Sequence, residues 1–268
     1  MKYLNNIESI KKRWCSALWK AYMEVKPVDS PASTIGELSV EQAYDVQAML
    51  IENKISNGER VIGWKVGATS QAILDQLPGE IGEPIFGCMT SKSCYPYLKG
   101  VKASDFCRLA IEGEIAFIMQ RPLRGPGITN ADVIMATSGV MASVELVDSR
   151  IKDWNASMPE IIADNSFHAG VILGPFTRPI SALDLRHEGV VLSKNGRLLA
   201  SACGCEALDN PVNVVTWLAN KLSQFDREIH AGEVIMTGSL TKFFFVEPGD
   251  VVDVSYSNLG SIQFTIRD

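Results

Sequence analysis

Apolar residues recur at three- and four-residue steps through Leu4, Ile7, Ile10, Trp14, Leu18 and Tyr22, which lays one apolar stripe along a helix over residues 4–25. A linker bearing Pro27 and Pro31 follows. Ser39 and Gln42 then stand in capping-box spacing ahead of Ala43, Val46, Leu50 and Ile51, so a second helix is expected to end near Gly58. From Arg60 the pattern changes to short apolar runs punctuated by glycine and proline: 61–67, 109–119, 140–147, 170–173, 189–192 and 251–256. Each predicts a strand. Helical windows fall between them at 130–136, capped by Thr129 or Asn130, at 158–163, and at 211–225 with Asn210 as N-cap and Pro211 in the first turn. Asn195-Gly196 marks a hairpin and Pro248-Gly249-Asp250 a second turn. The expected class is α+β: a helical element over residues 1–58, and a β-rich domain over 59–268 that carries the candidate chemistry.

Composition narrows the function. With 268 residues, 46% of them apolar and 21% charged, the chain can bury one large core or a main domain with an appendage. The net charge of -6 and pI near 5.2 oppose binding to a phosphate backbone or an anionic membrane, so nucleic acid and membrane partners are not expected. Any anionic substrate must be held by a local cation. The first 26 residues alternate charge with apolar residues and lack a signal-peptide core, and no run reaches the ~18 apolar residues of a membrane span. The six cysteines show neither zinc-finger spacing nor a disulfide framework, which suits a reduced cytoplasmic location. Cys203 and Cys205 form a C-x-C, read as core packing in the absence of further ligands.

Glu112 and Glu114 sit inside the apolar run 109–119, where strand periodicity aims both at one face. Glu145 recurs in a similar run at 142–150. Solvated glutamates on an exposed face would be the ordinary explanation of an E-x-E, but the apolar flanks favour a site, with Gly113 expected to clear space between the pair. Three carboxylates plus water suit Mg²⁺ or Mn²⁺, since both are hard ions that prefer oxygen; zinc would ask for histidine or cysteine. Asp148 and Arg150 would either stand behind the metal ligands or pair at the strand end, and the structural reading is favoured for both. Lys65, between Trp64 and Val66, points opposite to both; a surface lysine is the common case, yet beside a metal it would hold a carboxylate or move protons. Asp164 and Asn165 are explained by turn chemistry, and Thr237-Gly238-Ser239 would either cup a carboxylate or form a plain turn. The three histidines, at 168, 187 and 230, form no triad or metal signature, and no Gly-rich phosphate loop is present.

In this order the segments Gly63-Trp64-Lys65-Val66-Gly67-Ala68-Thr69-Ser70, Ile111-Glu112-Gly113-Glu114-Ile115-Ala116-Phe117, 144–150, Ala163-Asp164-Asn165 and 232–240 resemble the fumarylacetoacetate hydrolase superfamily, over nearly the whole chain. Within it, the likeness is to the branch of 2-oxopent-4-enoate (2-hydroxypentadienoate) hydratases and 4-oxalocrotonate decarboxylases. The resemblance implies a mixed β-roll or sandwich with an N-terminal helical element, a Mg²⁺ or Mn²⁺ held by Glu112, Glu114 and Glu145, and no nucleotide cofactor. It also implies Lys65 and Ser166 in the catalytic pocket, Thr237, Gly238 and Ser239 around the substrate carboxylate with Asp164 in the same site, and a homo-oligomer that associates with its partner decarboxylase or hydratase.

What this implies functionally is a metal-dependent hydratase of a 2-hydroxy-2,4-dienoate in the meta-cleavage catabolism of aromatics, with a 4-oxalocrotonate-type decarboxylase as the alternative. Two departures bear on the choice. Many hydratases of the branch carry an acid where this chain has Ile85, in Pro84-Ile85-Phe86-Gly87, which favours decarboxylation. His168 stands where a small residue is expected, and would act as a general acid or base or narrow the pocket. Acylpyruvate hydrolysis ranks lower, because it calls on a histidine in the N-terminal part and the first one here is His168. A non-catalytic partner subunit would not need Lys65 together with the three glutamates.

Overall fold

The computed structural model describes residues 2–76 and 82–268, with side chains from Asn6 onward. Its helices are α1 Lys2–Glu24, α2 Pro31–Thr34, α3 Val40–Ser56, α4 Gln71–Leu74, α5 Asn130–Ala136, α6 Met158–Ala163 and α7 Pro211–Leu222. The strands are β1 Val61–Gly67, β2 Ile85–Thr90, β3 Cys94–Tyr95, β4 Val101–Lys102, β5 Ala110–Met119, β6 Thr137–Val147, β7 His168–Leu173, β8 Gly189–Lys194, β9 Arg197–Cys203, β10 Val234–Met236, β11 Phe244–Phe245, β12 Val251–Tyr256 and β13 Gly260–Arg267.

The stripe on α1 buries Trp14 and Leu18 and half-buries Ile7 and Ile10; the side chain of Leu4 lies outside the described residues. α3 starts where the capping box predicts, with Ser39 Oγ accepting from the Gln42 N–H and the Gln42 side chain accepting from the Ser39 N–H. The helices of the first 58 residues share one continuous apolar core with the sheets. Gln47 of α3, fully buried, fastens them: its Nε2 donates to the carbonyls of Phe86 on β2 and Ile162 on α6, at 2.9 and 3.0 Å. The 211–225 window divides into α7 and a 3₁₀ turn over Ser223–Phe225.

Two sheets form the body. One runs β2-β1-β10-β5-β6-β7-β3, with β11 also paired to β5; the other runs β4-β13-β12-β8-β9. Both mix parallel and antiparallel pairs. The first sheet is buried on both faces along β2, β5 and β6, so those strands read as continuous apolar runs, whereas β13 alternates buried and exposed positions. Gly113 lies at the junction of the sheets. A Cβ there would meet Val254, Val190 and Tyr256, at 3.1, 3.3 and 3.5 Å, so it points away from the glutamates. The expectation that it separates Glu112 from Glu114 is therefore corrected: successive side chains of a strand face opposite ways, and this glycine admits the second sheet. Tyr256 uses the opening, its hydroxyl lying 2.7 Å from the Glu114 carbonyl and 2.8 Å from that of Ser143.

Candidate metal centre and its pocket

Antiparallel pairing of β5 with β6 sets Glu112 directly opposite Glu145, and strand periodicity brings Glu114 to the same face. All three are buried, and each offers one oxygen within 4.8 Å of the others. Like charges facing one another across a ladder repel, so this arrangement needs compensation. Part of it is present. Lys65 on β1, 4% exposed, brings its Nζ to 3.4 Å from Glu145 Oε2, and His168 Nδ1 lies 2.8 Å from Glu145 Oε1. The Gly238 N–H donates to Glu114 Oε2 at 2.9 Å.

What is left over points to a cation. Among the described residues Glu114 Oε1 is buried without a hydrogen-bond partner, and Glu145 Oε2 makes none beyond its 3.4 Å ion pair with Lys65, a costly state unless a further positive charge joins them. The protonation pattern agrees. Burial first, and the Glu145 charge second, push the Glu112 carboxyl up to about 8, and the same causes raise Glu114 well above the ordinary range. Burial opposes ionisation of Glu145 as well, but Lys65 and His168 hold it below its usual value. An all-oxygen set of three carboxylates fits a hard divalent ion such as Mg²⁺ or Mn²⁺.

Of the three acids, Glu112 lines a small cleft, with a cavity volume of about 30 Å³. Lys65, Glu112, Ser166 and Ser239 supply its polar lining, and Ile73, Ile85, Val147, Ile161, Phe167 and Phe243 its apolar lining together with Trp154. Backbone strain shapes that lining. Asp153 and Trp154 both have φ of 57°, and Asn165, Ser166 and Phe167 have φ of 56°, 55° and 58°. Left-handed backbone costs a non-glycine residue on the order of 1 kcal/mol, and the losses cluster where they aim side chains into the cleft. Asn165 secures its turn by strand-like bonds to β2, accepting from the Cys88 N–H at 2.8 Å and donating to the Cys88 carbonyl at 2.9 Å. Trp154 is held by rings, with Phe243, Phe245 and Phe167 at centroid distances of 5.1, 5.1 and 5.3 Å.

Several expectations are corrected by this geometry. His168 does not face the cleft: it is 2% exposed, and with Nδ1 on Glu145 its Nε2 meets Ser93 Oγ at 3.1 Å, so it braces a carboxylate rather than reaching a reacting atom. A register shift between Leu146 and Val147 accompanies this placement. Asp164 is also out of reach, because its carboxylate accepts from the Arg150 N–H and Nε at 2.9 and 2.6 Å in a buried ion pair. Thr237 spends its hydroxyl on the Ile115 carbonyl, at 2.9 Å, and Gly238 spends its N–H on Glu114. Gly238 has φ of 86°, and a Cβ there would strike Thr69 Oγ1 at 2.0 Å, so a side chain is excluded where the backbone approaches the acid. Ser166 and Ser239 do line the cleft, but their hydroxyls donate to the carbonyls of Phe86 and Thr241, at 2.7 and 2.8 Å, and so offer a ligand lone pairs. Asp148 is structural, accepting from the N–H groups of Cys107 and Arg108 at 2.8 Å each. Sequence reasoning missed Trp154, which lies in a turn without periodicity, and the brace from Ser93.

Comparison with known proteins places this architecture. Residues 68–267 match the model of the fumarylacetoacetate (FAA) hydrolase C-terminal family. A 2-hydroxyhexa-2,4-dienoate hydratase of Comamonas testosteroni is 37% identical, over 85% of this chain and 88% of that protein. A 4-oxalocrotonate decarboxylase of Pseudomonas sp. (strain CF600) is 34% identical over 91% of each. Among solved structures, the 4-oxalocrotonate decarboxylase from Pseudomonas putida G7, complexed with magnesium and adipate, superposes with a TM-score of 0.90 at 31% identity, covering 97% of each chain.

Proposed function

This chain belongs to the fumarylacetoacetate hydrolase family, and from that membership we propose that it is a divalent-metal-dependent lyase: a hydratase that adds water to a 2-hydroxy-2,4-dienoate, giving a 4-hydroxy-2-oxo acid in the meta-cleavage catabolism of aromatics. The observation that carries the reading is the convergence of Glu112, Glu114 and Glu145, with Glu114 Oε1 left without a hydrogen-bond partner among the described residues, beside Lys65 in a mostly apolar cleft. Glu112, Glu114 and Glu145 would hold Mg²⁺ or Mn²⁺, which would supply Lewis-acid polarisation at the substrate's 2-oxo end. Lys65 holds the 1-carboxylate or carries a proton beside it, and Ser166 and Ser239, whose own protons go to protein carbonyls, can accept from the 2-hydroxyl of the dienol. The apolar lining excludes bulk water and so strengthens each electrostatic contact of Lys65 and the glutamates.

A second reading is 4-oxalocrotonate-type decarboxylation, favoured by Ile85, which lines the cleft without any proton to give or take. The test is turnover in the presence of Mg²⁺ or Mn²⁺ of 2-hydroxypentadienoate and, separately, of 4-oxalocrotonate. A hydroxylated product supports hydration, release of CO₂ supports decarboxylation, and inertness towards both while metal still binds refutes the enzyme. Lys65→Ala is expected to bind metal normally and turn over slowly; unchanged turnover removes Lys65 from the site. The reading carries with it a cytoplasmic location, in keeping with six free cysteines and with no helix among the described residues long and apolar enough to cross a membrane. It also carries a homo-oligomer, for which Leu198 and Val191, exposed on the second sheet, offer an apolar face.

A further inference from the structure

Cys203 and Cys205, expected as core packing, are instead half-buried, and their sulfurs lie 3.0 Å apart. Cys203 ends β9, the edge strand of the second sheet, and Cys205 stands in the 3₁₀ turn over Gly204–Glu206 that follows. The residue between them is fixed. Gly204 donates its N–H to the Glu188 carbonyl at 2.9 Å, and a Cβ there would strike the Leu185 carbonyl oxygen at 1.8 Å, so only glycine fits. Chelation does not account for the pairing, because among the described residues only the glutamate trio brings three candidate metal donors together. A structural disulfide does not account for it either, since closing so short a loop constrains the unfolded chain little. Two accessible thiols in contact are equipped for exchange.

We propose that Cys203 and Cys205 form a thiol–disulfide exchange site, separate from the metal centre, that reacts with small disulfides and closes reversibly. The Cys203 thiolate attacks one sulfur of a low-molecular-weight disulfide RSSR and expels RS⁻, which leaves a mixed disulfide on Cys203. Cys205 gives up its proton, attacks the Cys203 sulfur and expels the second RS⁻. The pair thereby loses two electrons and two protons, and RSSR becomes two RSH. The order follows from the contact: the Cys205 thiol is pushed up, chiefly by its hydrogen bond with Cys203, so it keeps its proton longer. A ring this tight is readily reduced again, which suits a transient state. The other thiols are less apt. Cys15 and Cys88 are buried, burial pushes Cys107 up to about 12, and exposed Cys94 has no sulfur bonded to it among the described residues.

The test is incubation of the Mg²⁺-loaded protein with oxidised glutathione at mildly alkaline pH, followed by alkylation and peptide mass mapping. The peptide carrying both cysteines is expected to lose two hydrogens, to retain no glutathione, and to regain the hydrogens in dithiothreitol. Cys205→Ser removes the second attack, and glutathione held on Cys203 is expected to rise at least ~10-fold over wild type. In Cys203→Ser, whose hydroxyl still accepts from the Cys205 thiol, uptake on Cys205 is expected to be slower than that. An unaltered peptide, glutathione retained on both sulfurs of the wild type, or a ring that forms only after unfolding in urea overturns the site. Equal rates of uptake in the two variants overturn the order of attack.

Discussion

Glu188 and Glu114 are both fully buried glutamates beside strands, yet their surroundings are opposite. Glu188, just ahead of β8, is surrounded by donors: Oε1 accepts from the N–H groups of Asn258 and Leu259 at 2.7 and 3.2 Å, and Oε2 accepts from Asn258 Nδ2 at 2.8 Å, which pins the β12–β13 turn. Glu160 is treated alike, taking bonds from Ser30, Ala32 and Ser157. Glu114 has one oxygen on the Gly238 N–H, the other on nothing, and two more carboxylates for neighbours. Burial alone therefore does not mark a functional acid. A carboxylate complete within the protein holds the fold together, and one left incomplete beside others awaits a cation.

The contrast breaks most visibly under substitution. Glu114→Gln is expected to keep the fold and lose at least ~1,000-fold in turnover, about 4 kcal/mol of transition-state stabilisation, together with metal affinity. Wild-type activity in this variant, or in thoroughly chelated wild-type protein, would remove the metal from the mechanism. Glu188→Ala should do the reverse: a loss of about 2 kcal/mol in urea unfolding, since it orphans the buried Leu259 N–H and frees the two donors of Asn258 from the turn, with kcat of the surviving folded enzyme unchanged. A stable Glu188 variant, or an inactive one, would erase the distinction between the two acids.

His168 sharpens the comparison, because it completes one oxygen of Glu145 while the other has the Lys65 ammonium at 3.4 Å and no hydrogen bond among the described residues. His168→Ala should weaken Mg²⁺ and Mn²⁺ binding by about 10–100-fold, as is usual when a ligand's outer partner is removed. His168→Asn, which keeps a donor, should recover part of the loss. Calorimetric titration of the metal into each variant measures this, and unaltered affinity would make the histidine a mere filler.

The two kinds of acid were not equally legible in the sequence. β1, β12, α5 and α6 emerged with their observed bounds because periodicity, caps and turns are local signals. The acid trio was legible too, since charge inside a doubly buried strand violates the pattern around it. Partners were not. Nothing near Glu188 foretells that Asn258 and Leu259 will satisfy it, nor that His168 and Ser93 will turn to each other, because such pairs are made by tertiary packing across 70 and 75 residues of chain. The same limit hid Trp154 and misassigned Asp164, whose ion pair with Arg150 depends on how the turn after α6 folds back.

Proton binding gives the smallest effect per measured step but the most general test. Burial, and the Glu145 charge after it, lift Glu112 from an ordinary 4.5 to about 8, and Glu114 moves in the same direction. Between those values the folded, metal-free chain binds more protons than the unfolded one. Its stability is then fully present below the ordinary glutamate value and is lost as pH rises towards 8, by on the order of 1 kcal/mol per pH unit for each excess proton. Mg²⁺ or Mn²⁺ displaces those protons on binding, so the protection it confers should grow over the same interval. Urea unfolding at stepped pH, in chelator and in saturating Mg²⁺, would show the two curves diverging. Curves that stay parallel would mean that the trio is already satisfied within the protein, as Glu188 is, and the difference between the two regions would vanish.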